Sequence, residues 1–67
     1  MPRVLKFANG IHTIRKGSVV YLTGEYPYAV RITGFRKDMV YAEDAEDSDG
    51  IIVGMKLQSL SDCIFIS

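Results

Sequence analysis

The dipeptide Asn9-Gly10, set between two alternating apolar runs, constrains this chain more than any other feature. Val4-Leu5-Lys6-Phe7-Ala8 precedes it and Ile11-His12-Thr13-Ile14 follows. Glycine has no Cβ, and asparagine is among the few side chains that tolerate positive φ, so the pair suits both central positions of a type I′ hairpin turn. A two-residue loop at this point sets Ala8 against Ile11, Phe7 against His12, Lys6 against Thr13 and Leu5 against Ile14. One face of the hairpin then carries Leu5, Phe7, His12 and Ile14. The other carries Val4, Lys6, Ala8, Ile11 and Thr13.

The rest of the chain reads the same way, as short β-type runs cut by turn residues. Residues 18–23 are β-branched and aromatic (Val19, Val20, Tyr21, Leu22, Thr23). Gly24-Glu25-Tyr26-Pro27 is a loop, because Pro27 cannot donate to a strand ladder. Residues 28–35 alternate, with Val30 and Ile32 on one face and Arg31, Thr33 and Phe35 on the other. Gly34 marks a bulge. Arg36-Lys37-Asp38 is a tight turn into a strand at 39–43, and an acidic loop spans 44–50. Residues 51–57 alternate again, with Ile51, Val53, Met55 and Leu57 inward and Ile52, Gly54, Lys56 and Gln58 outward. A turn at 58–62 has room for one 3₁₀ turn, and a short apolar strand at 63–66 ends the chain. No window carries a 3.6-residue apolar period. The expectation is one all-β domain over residues 1–67, a small SH3-like barrel or roll of five to six short antiparallel strands with no long helix. Its central antiparallel pair is 16–35.

Size limits what can hold such a domain together. A chain of 67 residues buries only about 60% of the surface its unfolded form exposes. The single cysteine, Cys63, excludes an intrachain disulfide, and one cysteine with one histidine makes a Cys/His metal site improbable. The hydrophobic content is 48%. Ile64-Phe65-Ile66 is apolar on both faces, and Val4 and Ile11 stand opposite Leu5 and Phe7, so a second subunit is the expected cover and a homo-oligomer the expected state. A lone cysteine fits a reducing compartment, and the apolar runs are too short for a leader or a membrane span. The expectation is a soluble cytoplasmic protein without a membrane partner.

The net charge of zero hides an uneven distribution. Glu43, Asp44, Glu46, Asp47 and Asp49 are five of the eight acids, and the remainder of the chain carries +5. Placing Gly50 at the invariant glycine of a calcium loop puts Ala45 and Lys56 at the first and last ligand positions, so that motif fails and no metal or cofactor is expected. The acidic loop reads instead as a solvated loop or as a recognition element for a basic partner. Arg15, Lys16, Arg31, Arg36 and Lys37 gather at one end of the central pair, interleaved with Tyr21, Tyr26, Tyr28, Phe35 and Tyr41, a composition on which bases can stack. Glu25-Tyr26-Pro27-Tyr28 presents two tyrosines around a rigid proline, a composition favoured at protein interfaces. His12 and Cys63 lack a third orienting group, so a nucleophile–base pair is disfavoured and no catalytic residue is assigned.

Lys16-Gly17-Ser18-Val19-Val20-Tyr21-Leu22-Thr23-Gly24, with the strands at 28–34 and 39–44, resembles the KOW-type pattern of SH3-like barrels. There a basic residue and a glycine precede an apolar strand, and the next two strands form a hairpin. The resemblance covers about residues 15–44 and implies binding of RNA, ribosomal components or transcription proteins rather than chemistry. The resulting expectation is a non-enzymatic module that binds a protein partner as adaptor, inhibitor or assembly subunit. Its contact residues would be Tyr26, Pro27, Tyr28, Arg31, Phe35, Arg36, Glu43, Asp44, Glu46 and Asp47. The alternative partner is RNA or DNA, bound on the basic and aromatic face.

Overall fold

A computed structural model describes residues 2–24, 27–46 and 51–67. Seven strands form two antiparallel sheets: β1 (Arg3–Phe7), β2 (Gly10–Ile14), β3 (Val19–Leu22), β4 (Tyr28–Arg36), β5 (Met39–Asp44), β6 (Ile52–Lys56) and β7 (Ile64–Phe65). A 3₁₀ helix, Leu57–Asp62, joins β6 to β7. The all-β class is as expected. Among the described residues the strands number seven against the five to six expected, and the last of them, β7, falls within the expected run at 63–66. β1 and β2 make a two-stranded sheet, and the other five are ordered β6-β5-β4-β3-β7.

The β1–β2 hairpin has the expected faces but a different turn. Phe7 faces Gly10 and Leu5 faces His12, so the loop residues are Ala8 and Asn9. Gly10 has φ +119°, while neither Ala8 nor Asn9 has positive φ. A type I′ turn needs positive φ at both central positions, so Asn9-Gly10 does not form one. Only the residue after the bend takes the glycine conformation. The partner of each β1 residue is thereby shifted by two from the expected register. A shift of two preserves the side of the sheet. Phe7 and Ile14 are buried, while Val4 and Ile11 are 66% and 71% exposed.

Gly34 does mark a bulge, and the bulge moves Phe35. Ile32 faces Ala42, and the next pair is Gly34 with Tyr41, which leaves Thr33 as the extra residue. An extra residue inverts the alternation beyond it. Phe35 then faces Val40, a fully buried residue, and packs against the core with Val30 and Ile32. The expected placement of Phe35 on the Arg31 face is therefore corrected.

The core is Phe7, Ile14, Val20, Val30, Ile32, Val40, Ala42, Leu60 and Cys63. It lies between the inner face of the five-stranded sheet, the β1–β2 hairpin and the 3₁₀ helix, whose Leu60 is fully buried. Burying a side chain of this size contributes about 1.5–3 kcal/mol, so this helix matters more as a lid than as a connection. On β6, Val53 and Met55 face Ala42 and Val40 as the alternation requires. Ile51 and Val53 were expected inward but are exposed, because β6 lies at the sheet edge beyond the covering elements.

Candidate functional site

The strand register sorts the charged residues to opposite ends of the sheet. At one end, Arg36 faces Met39, which faces Lys56. Lys37 occupies the β4–β5 turn. Arg3 donates from Nη1 to the Lys37 carbonyl, and its guanidinium lies 5.3 Å from the centre of the Phe35 ring. Arg3 faces Ile14 across the hairpin, which brings the Arg15-Lys16 turn beside Arg3, and the Gly17 N–H donates to the Ile32 carbonyl at the middle of β4 at 2.8 Å. Six of the eight basic residues (Arg3, Arg15, Lys16, Arg36, Lys37, Lys56) thus share one pole with a single described acid, Asp38. An open cleft of about 400 Å³ at this pole is lined by Thr13, Arg15, Lys16, Gly17, Ser18, Phe65 and Ser67.

The local chemistry of these turns explains their shape. Ser18 is buried, and its hydroxyl accepts from the Arg15 N–H at 3.0 Å while its own N–H donates to the Arg15 carbonyl at 2.9 Å. That reciprocal clasp exposes Arg15 and Lys16 at the tip, and Gly17 supplies the positive φ of 98°. Lys37 has φ 57°, a conformation that costs a side-chain-bearing residue about 1–2 kcal/mol relative to glycine.

The other pole is acidic. The Ala45 N–H donates to the Ala29 carbonyl at 3.0 Å, holding the start of the acidic loop against β4. Arg31 braces the same junction. Its Nη1 lies 3.1 Å from Glu43 Oε2 and its Nη2 donates to the Ala45 carbonyl at 3.1 Å. Asp44 Oδ1 accepts from the Glu46 N–H at 2.9 Å. Asp62 joins this end, since its carbonyl accepts from the Thr23 hydroxyl at 2.7 Å.

The expected contact residues therefore divide. Pro27, Tyr28, Arg31, Glu43, Asp44 and Glu46 lie at the acidic pole, and Arg36 at the basic one. Tyr28 is half-buried and packs on the core, while Pro27 is exposed. Phe35 is turned to the core side beneath Arg3. Tyr26 and Asp47 lie outside the described residues. The single basic and aromatic face expected from the sequence is thus split, because Arg31 is drawn to the acidic junction and Phe35 inward. Arg3 and Lys56 belong to the basic pole although neither stands near the other cations in the chain. Only long-range pairing brings them there, and no local motif signals it. Tyr41 lies between Gly34 and Gly54 on the outer face, its ring against Gly54, and Tyr21 lies between Ala29 and Ile64. The two tyrosines do not face each other.

His12 and Cys63 are engaged separately. His12 stacks on Phe65 at 4.5 Å and its Nε2 lies 3.1 Å from the Asn9 carbonyl. The Cys63 thiol lies 3.7 Å from the Ser59 carbonyl. Burial pushes that thiol upward in pKa, the Asp62 carboxylate adds to the shift, and a backbone hydrogen bond from Thr23 opposes it. Such a thiol holds its proton and is a poor nucleophile. Among the described residues no three His, Cys, Asp or Glu side chains come together as a metal site, and no described helix is long and apolar enough to cross a membrane. The chain matches no family model, no curated protein and no solved structure.

Proposed function

We propose that this protein is a non-enzymatic binding module that recognises a basic protein partner through its acidic pole. The supporting observation is the junction of Ala45 with Ala29, braced by Arg31, which sets Glu43, Asp44 and Glu46 beside the exposed Pro27 and the half-buried Tyr28. An acidic surface with an amphipathic rim raises encounter rates with a basic partner and rejects acidic ones. The meander β3-β4-β5-β6, the 3₁₀ helix and the return of β7 to β3 are compatible with a small barrel or roll, and the KOW-type reading rests on the sequence resemblance at about residues 15–44.

A second reading, RNA or DNA bound at the basic pole, is favoured by its own observation. Lys37 keeps a cation at a turn position where glycine is less strained. The acidic loop is also less of an obstacle than the sequence suggests. Met39 and Asp44 are five strand steps apart on β5, about 17 Å at 3.4 Å per residue, or roughly two screening lengths at physiological salt.

One experiment separates the readings. The full chain is immobilised and exposed to native extract with and without nuclease, as wild type, as Asp44→Lys with Glu46→Lys, and as Arg36→Glu with Lys37→Glu. Nuclease-resistant capture lost only in the acidic-pole variant supports the protein-binding reading. Capture that is nuclease-sensitive and lost only in the basic-pole variant replaces it with the nucleic-acid reading. That binding should also weaken steeply with salt.

A further inference from the structure

We propose that β6 is a dimerisation strand. Two copies pair β6 with β6 antiparallel about a two-fold axis at Gly54, joining two five-stranded sheets into one. The inference is independent of which pole binds a partner.

β6 is an edge of its sheet, and among the described residues no element pairs with its outer side. The Leu57 N–H donates to the Asp38 carbonyl at 2.8 Å, which fixes the hydrogen-bonding phase of the β5–β6 ladder. Antiparallel pairs alternate between bonded and non-bonded. Val40 with Met55 and Ala42 with Val53 are then the bonded pairs. Ile52, Gly54 and Lys56, which face Glu43, Tyr41 and Met39, direct their N–H and C=O groups away from the sheet. The Ser59 hydroxyl donates to the Lys56 carbonyl at 2.6 Å, and the second lone pair of that carbonyl stays available. Of the usual edge defences the strand carries only a terminal lysine. It has no proline and no inward-pointing charge, and its only charged residue is Lys56 at its end. Ile52 is 55% exposed and Val53 42%.

A second copy fits this edge better than an arbitrary strand. Centring the pairing on Gly54 uses all three outward-directed residues of each copy. Ile52 then opposes Lys56 of the other copy, Val53 opposes Met55, and Gly54 opposes Gly54. The glycine matters at the axis, where the Tyr41 ring already lies across it: a Cβ added at Gly54 would sit 2.9 Å from Tyr41 Cε1. Charge is complementary as well. Glu43 flanks Ile52 on the same face. The methylene stem of Lys56 from the second copy lies over Ile52 and carries its ammonium toward the Glu43 carboxylate, which Arg31 of its own copy already engages on the far side. The two-fold axis makes each of these contacts twice, and it closes the assembly at two copies.

The test is light scattering of the full chain over a concentration series, with disulfide trapping of the register. The wild-type mass should rise from one copy to two. Ile52→Lys, which sets two ammonium groups against each other, should stay at one copy with an unchanged circular dichroism spectrum. Ile52→Cys with Lys56→Cys should oxidise to a covalent dimer. These two positions are four residues apart in one strand, about 13 Å, too far to bridge within a copy. Ile11→Cys, on the still more exposed hairpin face that the sequence marks for cover by a second subunit, is the control: it should stay largely monomeric if β6 rather than the hairpin forms the interface. If Ile52→Lys fails to fold, the trapping result decides. A monomer at every concentration, a dimer that survives Ile52→Lys, or trapping no faster than at Ile11→Cys each overturns the proposal. The first of these outcomes is also what an edge reserved for a foreign strand would give.

Discussion

The two edges of the five-stranded sheet are finished in different ways. At β7 the hairpin loop supplies a partner. The Asn9 side chain donates from Nδ2 to the Phe65 carbonyl at 2.9 Å and accepts from the Phe65 N–H at 3.0 Å, and the Ala8 N–H donates to the Cys63 carbonyl at 2.9 Å. A side-chain amide thus makes the same pair of bonds that a neighbouring strand would make. Phe7, His12 and Phe65 lock the arrangement with ring centres 4.5–5.8 Å apart. At β6 no comparable device exists among the described residues. The contrast teaches that this chain can close an edge with a single asparagine, so an edge with apolar residues and free ladder groups is better read as a surface kept for pairing than as an unfinished one.

The comparison breaks first at Phe7. Phe7→Ala removes a buried ring that touches both His12 and Phe65, and should cost about 3–5 kcal/mol. That is a large share of the roughly 5–15 kcal/mol that holds a natural domain folded. Urea denaturation should show the midpoint fall sharply or the folded baseline vanish. A loss under 1 kcal/mol would mean that the hairpin does not secure β7. Asn9→Ala is the next test. It strips both polar partners from Phe65 and should cost about 1–2 kcal/mol, a fall in melting temperature of roughly 4–8 °C per kcal/mol in a domain of this size. An unchanged melting temperature would assign the seal to ring packing alone. The matching change on the open edge is Ile52→Thr, expected to alter monomer stability by less than about 0.5 kcal/mol because the side chain is largely exposed. Measured at high dilution, a large loss there would show that β6 is covered within one copy.

Asn9 also shows how far the sequence could be read. Asn-Gly between alternating runs located the hairpin and its buried face, because both follow from local chemistry. It did not distinguish a turn with two positive-φ residues from one with a single glycine after the bend. Both keep Leu5, Phe7, His12 and Ile14 on one side, so alternation cannot separate them. The role of the Asn9 amide at β7 was invisible, since Phe65 lies 56 positions away. Gly34 signalled its bulge, yet the consequence for Phe35 required knowing that Thr33 was the extra residue. The acidic cluster was legible as composition. Its separation from the cations was not, because Arg3 and Lys56 reach the basic pole only through pairings between distant segments. Residues 51–57 showed the right alternation, and the exposure of Val53 followed from the position of β6 at the edge, which no local pattern encodes.

The smallest expected effect is kinetic and lies behind the sealed edge. Cys63 is buried, and the Ala8 N–H is bonded to its carbonyl. Iodoacetamide reaches a buried thiol only when the structure opens around it, and a rate that responds to Asn9 assigns that opening to the hairpin loop lifting from β7 rather than to global unfolding. In the wild type the reaction should be far slower than in a short peptide. Asn9→Ala should accelerate it by about tenfold, as a loss of roughly 1.4 kcal/mol in the closed state implies, while Ile52→Thr should leave it unchanged. The pH dependence follows from the direction of the thiol shift. The folded pKa lies above the ordinary value of 9.0, so the folded state holds this proton more tightly than the unfolded chain. The resulting stability is full below that ordinary value and is lost as the pH rises through the raised one. Alkylation of the native protein should therefore stay slow at neutral pH and climb at alkaline pH as the folded state weakens. If Ile52→Thr accelerated the reaction as much as Asn9→Ala, the two edges would be coupled, and the difference between a sealed edge and an open one would lose its meaning.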